Sequence, residues 1–393
     1  YPCLLMAASA SAQNTMTSSP YSMFGLGEMA SGLYGQNTSM AGVTVGMREG
    51  MLMNIENPAG LTALDSCKLF AEASAFVKNE RYRSDGSSSS AFTGNFSAFS
   101  LGGRIMRRWY MSAGVTPYSF VGYYFKSSQE LEGSPGTFVT STFSGTGGLS
   151  KAFLSQGFSL TKHLSVGMNL NFIFGNMTQN EIQSAMTVSR EMSGRSFYAD
   201  FGLQYHRPIA RETFLTVGAI YGYKQRISLK NTVTVTGSST ETPYNQKRVT
   251  QYLPQYIGIG SSLAHKKWTY ALDYLFRQYG VLNSSDSRVK FRDSHELRLG
   301  VCYFPNGFSS SSYWKRMSYK AGVSVSTPYL RLKGQSGGAY RVSVGLGLPV
   351  LNGRINTAFY YDRLQLQGNA LRRDIMGFTV TYTLSEKFYQ VKL

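Results

Sequence analysis

The chain has 393 residues, of which 14% are aromatic and 15% are charged, and its formal net charge is +18. No window offers the roughly 18 consecutive apolar residues that a membrane-spanning helix needs. No RNP motif, zinc-finger spacing or basic helix accompanies the positive charge, so we predict no nucleic-acid partner.

Residues 1–12 end in the small-residue pattern Ala10-Ser11-Ala12, which is typical of the cleavage site of a secretory signal peptide. We therefore predict a signal-peptide remnant at 1–12 and export of the mature chain; the alternative is an ordinary hydrophobic N-terminus. Cys3 would leave with the signal. Cys67 and Cys302 lack metal or redox spacing, so we predict no disulfide scaffold.

Residues 18–65 do not alternate between apolar and polar, and they are dense in glycine, methionine and small residues. A segment of this kind ahead of a barrel either fills the barrel lumen or hangs below it. We favour the lumen and treat 13–65 as a plug.

From residue 66 onward the dominant pattern is a period of two, which predicts β-strands. The clearest run has Tyr340, Val342 and Val344 on one face and Arg341 and Ser343 on the other. Several runs last the roughly 9 to 11 residues that a tilted strand needs to cross a bilayer. We predict an all-β fold, a transmembrane antiparallel β-barrel over 66–393 with a short periplasmic C-terminal tail. Its fourteen strands are expected at 66–79, 91–105, 108–127, 138–160, 163–179, 195–206, 213–235, 249–264, 267–278, 294–304, 317–333, 338–348, 354–366 and 374–385.

The predicted connections alternate between tight and long, as they do in a barrel whose termini are both periplasmic. The tight ones include Met106-Arg107, Thr161-Lys162 and His265-Lys266, whereas 180–194 and 237–247 are expected to be outside loops. The connection at 305–316 is an exception, because it is long where a tight one is expected. The pattern predicts a bacterial outer membrane as the location.

Basic residues cluster near the predicted strand ends, among them Lys78, Arg354 and Arg373. An exported barrel meets acidic lipid phosphates at both rims, and these account for the charge. We therefore predict outer-membrane lipid and lipopolysaccharide as partners.

Two motifs in the N-terminal region resemble those of a known family. The motif Asn57-Pro58-Ala59-Gly60-Leu61 follows the run Met40-Ala41-Gly42-Val43 and resembles the plug signature of the FadL-like outer-membrane barrels, which include the PorV-type secretion barrels. The opening SPYSMFGLG, residues 19–27, resembles a subgroup that begins SPYSxxGxG and is similar to the BamF-type partner of the barrel-assembly machinery.

The resemblance implies a fourteen-stranded barrel plugged by its N-terminal segment. Physically, Asn57 to Leu61 suits a turn, because Pro58 biases Asn57 towards extended geometry and Gly60 permits a reversal. The motif either anchors the plug and binds nothing, or takes part in gating.

Prolines interrupt three predicted strands: Pro117 the third, Pro254 the eighth and Pro328 the eleventh. Each removes a ladder hydrogen bond and favours a kink, a bulge or a strand end. In FadL-like transporters an inward kink of the third strand opens a lateral gap, so the resemblance makes Pro117 a candidate lateral gate.

Catalytic chemistry finds little support in the sequence. The four histidines, His163, His206, His265 and His295, lie near strand ends without metal-ligand spacing. No nucleophile stands out beside a base, so we predict no enzyme activity, no cofactor and no metal.

Two functions remain open. The first is a passive channel for a hydrophobic small molecule, which predicts a continuous apolar pocket leading to the third strand. The second is a non-transporting subunit of an outer-membrane assembly or secretion machine, with another barrel or a lipoprotein as its partner.

Overall fold

A computed structural model gives the fold of the chain. It describes residues 19–30, 35–84, 87–130, 136, 138–184, 186–237, 241–282, 289–305, 312–332, 334–366 and 372–387. The predicted signal-peptide remnant at 1–12 lies outside these residues.

The described residues form a wall of fourteen antiparallel strands, named β1 to β14 in chain order. Two of them are interrupted, so β7 and β8 each consist of two pieces. The bounds are Lys68–Ser84, Ser87–Met106, Trp109–Glu130, Phe138–Ser159, Leu164–Gln183, Met186–Ala210, Thr213–Gly222 with Gln225–Thr236, Glu241–Leu253 with Tyr256–His265, Trp268–Arg277, Ser294–Tyr303, Ser318–Ser326, Gly337–Val350, Gly353–Leu366 and Arg372–Lys387.

Each strand pairs with its neighbour in sequence, and β14 pairs with β1 along its whole length, so the sheet closes into a barrel. Val342 and Val344 are exposed on the outer face of β12, whereas Ser343 between them is buried. This alternation confirms the predicted all-β barrel, whose outer face is apolar as a lipid-facing wall requires. Among the helices of the described residues, none has the length and apolarity that crossing a membrane requires.

Several strands are longer than the sequence predicted. The predicted outside loops at 180–194 and 237–247 are largely strand, because β5 and β6 extend to Gln183 and Met186 and β8 begins at Glu241. These extensions carry polar residues on both faces, so no alternation marks them. The eleventh strand, in contrast, ends at Ser326 rather than at 333.

The N-terminal segment, defined here as the described part of 19–65, contains three short 3-10 helices at Pro20–Met23, Thr38–Met40 and Pro58–Ala63 and a two-residue strand at Glu28–Met29. The other short elements are a 3-10 helix at Tyr279–Val281, an α-helix at Tyr313–Arg316 and paired strands at Val289–Phe291 and Leu330–Leu332. The α-helix accounts for part of the unexpectedly long connection before β11.

Candidate functional site

The N-terminal segment lies against the inner face of the wall, and glycines make room for it. At eight positions a Cβ atom would come within 3.0 Å of an atom of the segment: Gly157, Gly167, Gly202, Gly218, Gly260, Gly300, Gly322 and Gly345. We call this set the glycine belt. Gly157 faces Gly167 and Gly167 faces Gly202 in register, and Gly300 faces Gly322. The missing side chains therefore form the space that residues 39–62 occupy.

The NPAGL motif packs against this belt. Asn57 has an extended backbone, caps the 3-10 helix Pro58–Ala63 through Ala59 N–H, and is fully buried. Its Nδ2 donates to the carbonyl oxygens of Val45 at 2.7 Å and Leu203 at 3.2 Å. A Cβ atom at Gly60 would lie 2.9 Å from the Asn54 side chain. Gly60 therefore allows close packing inside a helix, rather than the chain reversal that the sequence suggested.

All three glutamates of the N-terminal segment pair with arginines of the wall. Glu28 pairs with Arg373 of β14, Glu49 with Arg354 of β13 at 2.6 Å, and Glu56 with Arg298 of β10 at 3.1 Å. These contacts join the segment to strands that are far away in sequence.

The Glu56 pair is part of a larger network. Arg298 also pairs with Glu296 at 2.9 Å, and its Nη1 donates to the Gly42 carbonyl oxygen at 2.6 Å. Burial alone would raise the pKa of Glu56, but Arg298 and Arg277 hold it below its usual value. The carboxylate is therefore charged at neutral pH, and its docking is electrostatic.

These pairs correct one prediction. The sequence assigned Lys78, Arg354 and Arg373 to the lipid phosphates, but all three point inward: Lys78 pairs with Glu80 at 2.9 Å, and the other two hold the N-terminal segment. The position of Arg373 along its strand could have predicted its inward direction. Arg373 lies on the opposite face of β14 from Met376 and Phe378, which are exposed on the outer face.

The wall is not uniformly paired between β2 and β3. Their ladder runs from Met106 opposite Trp109 to Phe99 opposite Val115, and no pairing between them continues beyond Val115 among the described residues. In contrast, β1 stays paired with β2 and β4 stays paired with β3 to their far ends, with one bulge in each ladder. The two strands therefore part in the half of the wall that is remote from the turn between Met106 and Trp109, which we call the upper half.

Above the parting, β3 turns towards the lumen. Five consecutive residues from Ser119 to Tyr123 are buried, whereas buried and exposed side chains alternate along a strand that has lipid on one face. Glu28 and Met29 pair with Phe120 and Ser119, and the N–H of Ala30 donates to the Tyr118 carbonyl oxygen at 3.0 Å. Because β4 occupies the other edge of β3, the N-terminal segment occupies the edge that β2 leaves.

The three prolines have different outcomes. Pro117 lies at the parting, where a bulge between Pro117 and Ser119 breaks the register with β4. Pro254 lies in the break between the two pieces of β8. Pro328 lies beyond the end of β11, so it does not interrupt that strand as predicted.

A lumen cavity of about 100 Å³ adjoins the parting. Its lining includes Pro117 and Tyr118 of β3, Pro254 between the two pieces of β8, and Ala30 and Glu56 of the N-terminal segment. The lining also contains four further tyrosines and the charged residues Lys151, Asp200 and Arg277. The cavity is thus of mixed polarity, unlike the continuous apolar pocket that the channel hypothesis predicted.

Within the described ranges, no group of three or more His, Cys, Asp or Glu side chains is placed to hold a metal ion. His163 and His206 lie together near the turn between β4 and β5, with ring centroids 5.9 Å apart, and His265 contacts Thr213. The histidines therefore lie at strand ends, away from the cavity.

Solved structures share this fold. The toluene transporter TbuX of Ralstonia pickettii has 14% identity over 91% of this chain and 98% of its own, with a TM-score of 0.60. The toluene transporter TodX of Pseudomonas putida has 15% identity over 91% and 99%, with a TM-score of 0.59. A FadL homologue of Pseudomonas aeruginosa has 11% identity over 92% and 100%, with a TM-score of 0.61.

At these identities the likeness concerns the fold alone. No curated protein matches the chain significantly. The family model described as BamG, however, matches residues 1–392. The chain is therefore an outer-membrane β-barrel with the FadL-like fold, and it belongs to the BamG family.

Proposed function

We propose that this barrel is a passive channel for a small hydrophobic molecule, which leaves the lumen sideways beside Pro117. The observation that carries the proposal is the parting of β2 from β3 above Val115, next to the lumen cavity. A lateral exit suits such a solute, because the solute passes from the lumen into the bilayer without exposing its apolar surface to water.

The cavity limits the size and chemistry of the solute. An apolar cavity of roughly 150 Å³ holds benzene, so the 100 Å³ here would admit a single ring after a small movement of its walls. The tyrosine-rich lining favours an aromatic solute, because aromatic rings pack against one another in offset or edge-on geometries. The fold shared with the toluene transporters TodX and TbuX supports the same solute class.

We also propose that both termini lie in the periplasm. The turns at the end of the wall where β1 begins are short, as at Arg107-Arg108, Arg211-Glu212 and Leu351-Asn352. Short periplasmic turns are typical of outer-membrane barrels. In this orientation residues 35–65 lie in the periplasmic half of the lumen and the parting opens towards the outer leaflet.

Ala30 offers a direct test of transport. It lines the cavity and bonds to β3 through its backbone alone, so Ala30→Phe fills the cavity without removing a side-chain hydrogen bond. Cells producing the barrel are assayed for uptake of the fluorescent hydrophobic probe N-phenyl-1-naphthylamine. We expect the A30F variant to reduce uptake to the level of cells without the barrel. Ala210→Phe, at the exposed end of β6, is the matched control and leaves uptake unchanged.

Membership of the BamG family favours a second candidate function, a non-transporting subunit of an outer-membrane assembly or secretion machine. The three glutamate–arginine pairs that hold the N-terminal segment also suit a sealed scaffold. A pull-down of the tagged barrel from gently solubilised membranes tests this function. Co-purification of another barrel or a lipoprotein, together with equal probe uptake by the wild type and A30F, would favour the scaffold over the channel.

A further inference from the structure

An arginine cluster lies on the outer face of the wall, at the seam where the first and last strands meet. Arg81 and Arg83 of β1, Arg363 of β13 and Arg372 of β14 line a cavity of about 230 Å³. The cluster lies at the end of the wall remote from Lys68 and Lys387, where β1 begins and β14 ends. We call these four residues the seam arginines.

The seam arginines carry more positive charge than the described residues around them neutralise. Asp374 pairs with Arg363 at 2.7 Å and with Arg372 at 2.8 Å. Arg81 and Arg83 form no ion pair with any of the described residues. Four guanidinium groups against one carboxylate leave a net charge of +3 around the cavity.

The strand register adds a second unfavourable feature. Arg83 lies directly opposite Arg372 in the antiparallel ladder that closes the barrel. Like charges in directly opposed positions destabilise a sheet. An anion between the two guanidinium groups would reverse the sign of this interaction, because each would then face an opposite charge.

The surroundings indicate what kind of anion fits. On the same outer face, Met376, Phe378 and Val77 follow the arginines along their strands, and all three side chains are exposed. The cluster thus borders the apolar band of the wall, which is the level of lipid headgroups. A ligand at this border meets positive charge on one side and an apolar surface on the other.

We propose that the seam arginines bind the phosphate group of an outer-leaflet glycolipid, whose acyl chains lie along Met376, Phe378 and Val77. The planar guanidinium fork matches phosphate oxygens in a bidentate arrangement, which makes arginine well suited to this group. The inference rests on the proposed orientation, with both termini in the periplasm, but it does not depend on transport, since the cluster faces away from the lumen.

The test uses the full chain purified in detergent and measures its thermal unfolding. The probes are diphosphorylated lipid A, the same lipid without its phosphates, and inorganic phosphate at equal concentration. We expect diphosphorylated lipid A alone to raise Tm, because a ligand that binds only the folded state stabilises it. An equal rise with the dephosphorylated lipid overturns the proposal, and so does an equal rise with inorganic phosphate, which would indicate a site for free anions.

Three variants distinguish lipid binding at the seam arginines from a general effect of positive surface charge. In Arg81→Gln/Arg83→Gln the apparent affinity for lipid A should fall roughly tenfold or more, since hydrogen bonds to charged groups are lost. Arg207→Gln/Arg211→Gln removes two exposed arginines at the other rim and should behave as the wild type. Arg83→Lys, which keeps the charge but loses the fork, should bind with intermediate affinity.

The Tm of the double variant without lipid shows whether the variant is folded, so that a lost response to lipid A can be assigned to lost binding. Arg81→Gln/Arg83→Gln should unfold in detergent alone at the wild-type Tm or slightly above it, because it relieves the repulsion between Arg83 and Arg372. An unchanged response of this variant to lipid A would contradict the proposal.

Discussion

The carbonyl oxygen of Pro58 lies 2.7 Å from the position that a Cβ atom at Gly157 would occupy. Pro58 belongs to the NPAGL motif and Gly157 to the inner face of β4, so the two are almost a hundred residues apart in sequence. The same close fit recurs around the glycine belt. The N-terminal segment is therefore packed into the barrel as part of its interior.

Gly157→Ala should destabilise the barrel, because the new methyl group meets the backbone of the NPAGL helix. Overpacking of this kind costs about 1–3 kcal/mol. Thermal unfolding in detergent measures the loss, and protease susceptibility of the N-terminal segment reports its displacement. Gly237→Ala is the control, since a Cβ atom there meets nothing within 4 Å. Equal Tm values for the two variants would show that the segment is not packed against β4.

Glu56→Gln should weaken the docking of the N-terminal segment by less than about 3 kcal/mol, because Arg298 keeps Glu296 as a partner. The Asp65→Asn variant is the matched control within the same segment: Asp65 pairs with Lys68 at an exposed position, and surface pairs contribute about 0–1 kcal/mol. Denaturant unfolding at neutral pH compares the two.

The same carboxylate predicts a pH dependence. The pKa of Glu56 is lower in the folded chain than its usual value, so its stabilisation is present above the usual carboxyl pKa and is lost as pH falls through the folded one. Tm measured from neutral to acid pH should therefore fall less steeply in E56Q than in the wild type. Identical slopes would show that Glu56 is not held by the wall arginines.

Asn57→Ala should cost about 2–3 kcal/mol, because it removes the helix cap and leaves the buried carbonyl oxygens of Val45 and Leu203 without this donor. Asn352→Ala, at an exposed turn where the side chain contacts Glu386, should cost much less. Thermal unfolding of both variants decides the matter, and comparable losses would mean that the NPAGL motif does not fix the segment.

The alternation of side chains predicted all fourteen wall strands, because each is a single layer between lipid and a polar interior. It failed where this condition ends: residues 186–195 of β6 have polar residues on both faces, and the sequence reads them as a loop. Burial on both faces hides a strand in the same way, as at Ser119 to Tyr123.

Contacts between distant residues could not be predicted from local pattern. Parity along β14 would have turned Arg373 inward, but nothing in the sequence names Glu28 as its partner. Similarly, Pro117, Pro254 and Pro328 look alike locally, yet they lie at a bulge, a strand break and beyond a strand end. The structure at each proline depends on how the neighbouring strand pairs, and the residues around the proline do not specify that pairing.

The lateral exit requires that β3 leaves β2 above Val115 and pairs instead with the N-terminal segment. Disulfide formation between introduced cysteines tests it, with the three native cysteines replaced by serine. Met29 lies opposite Ser119, so Met29→Cys/Ser119→Cys should oxidise readily. The register of Phe99 with Val115, continued without a break, would place Asn95 opposite Ser119, and we predict that Asn95→Cys/Ser119→Cys stays reduced. A disulfide between positions 95 and 119, with none between 29 and 119, would mean a closed wall and contradict the lateral exit.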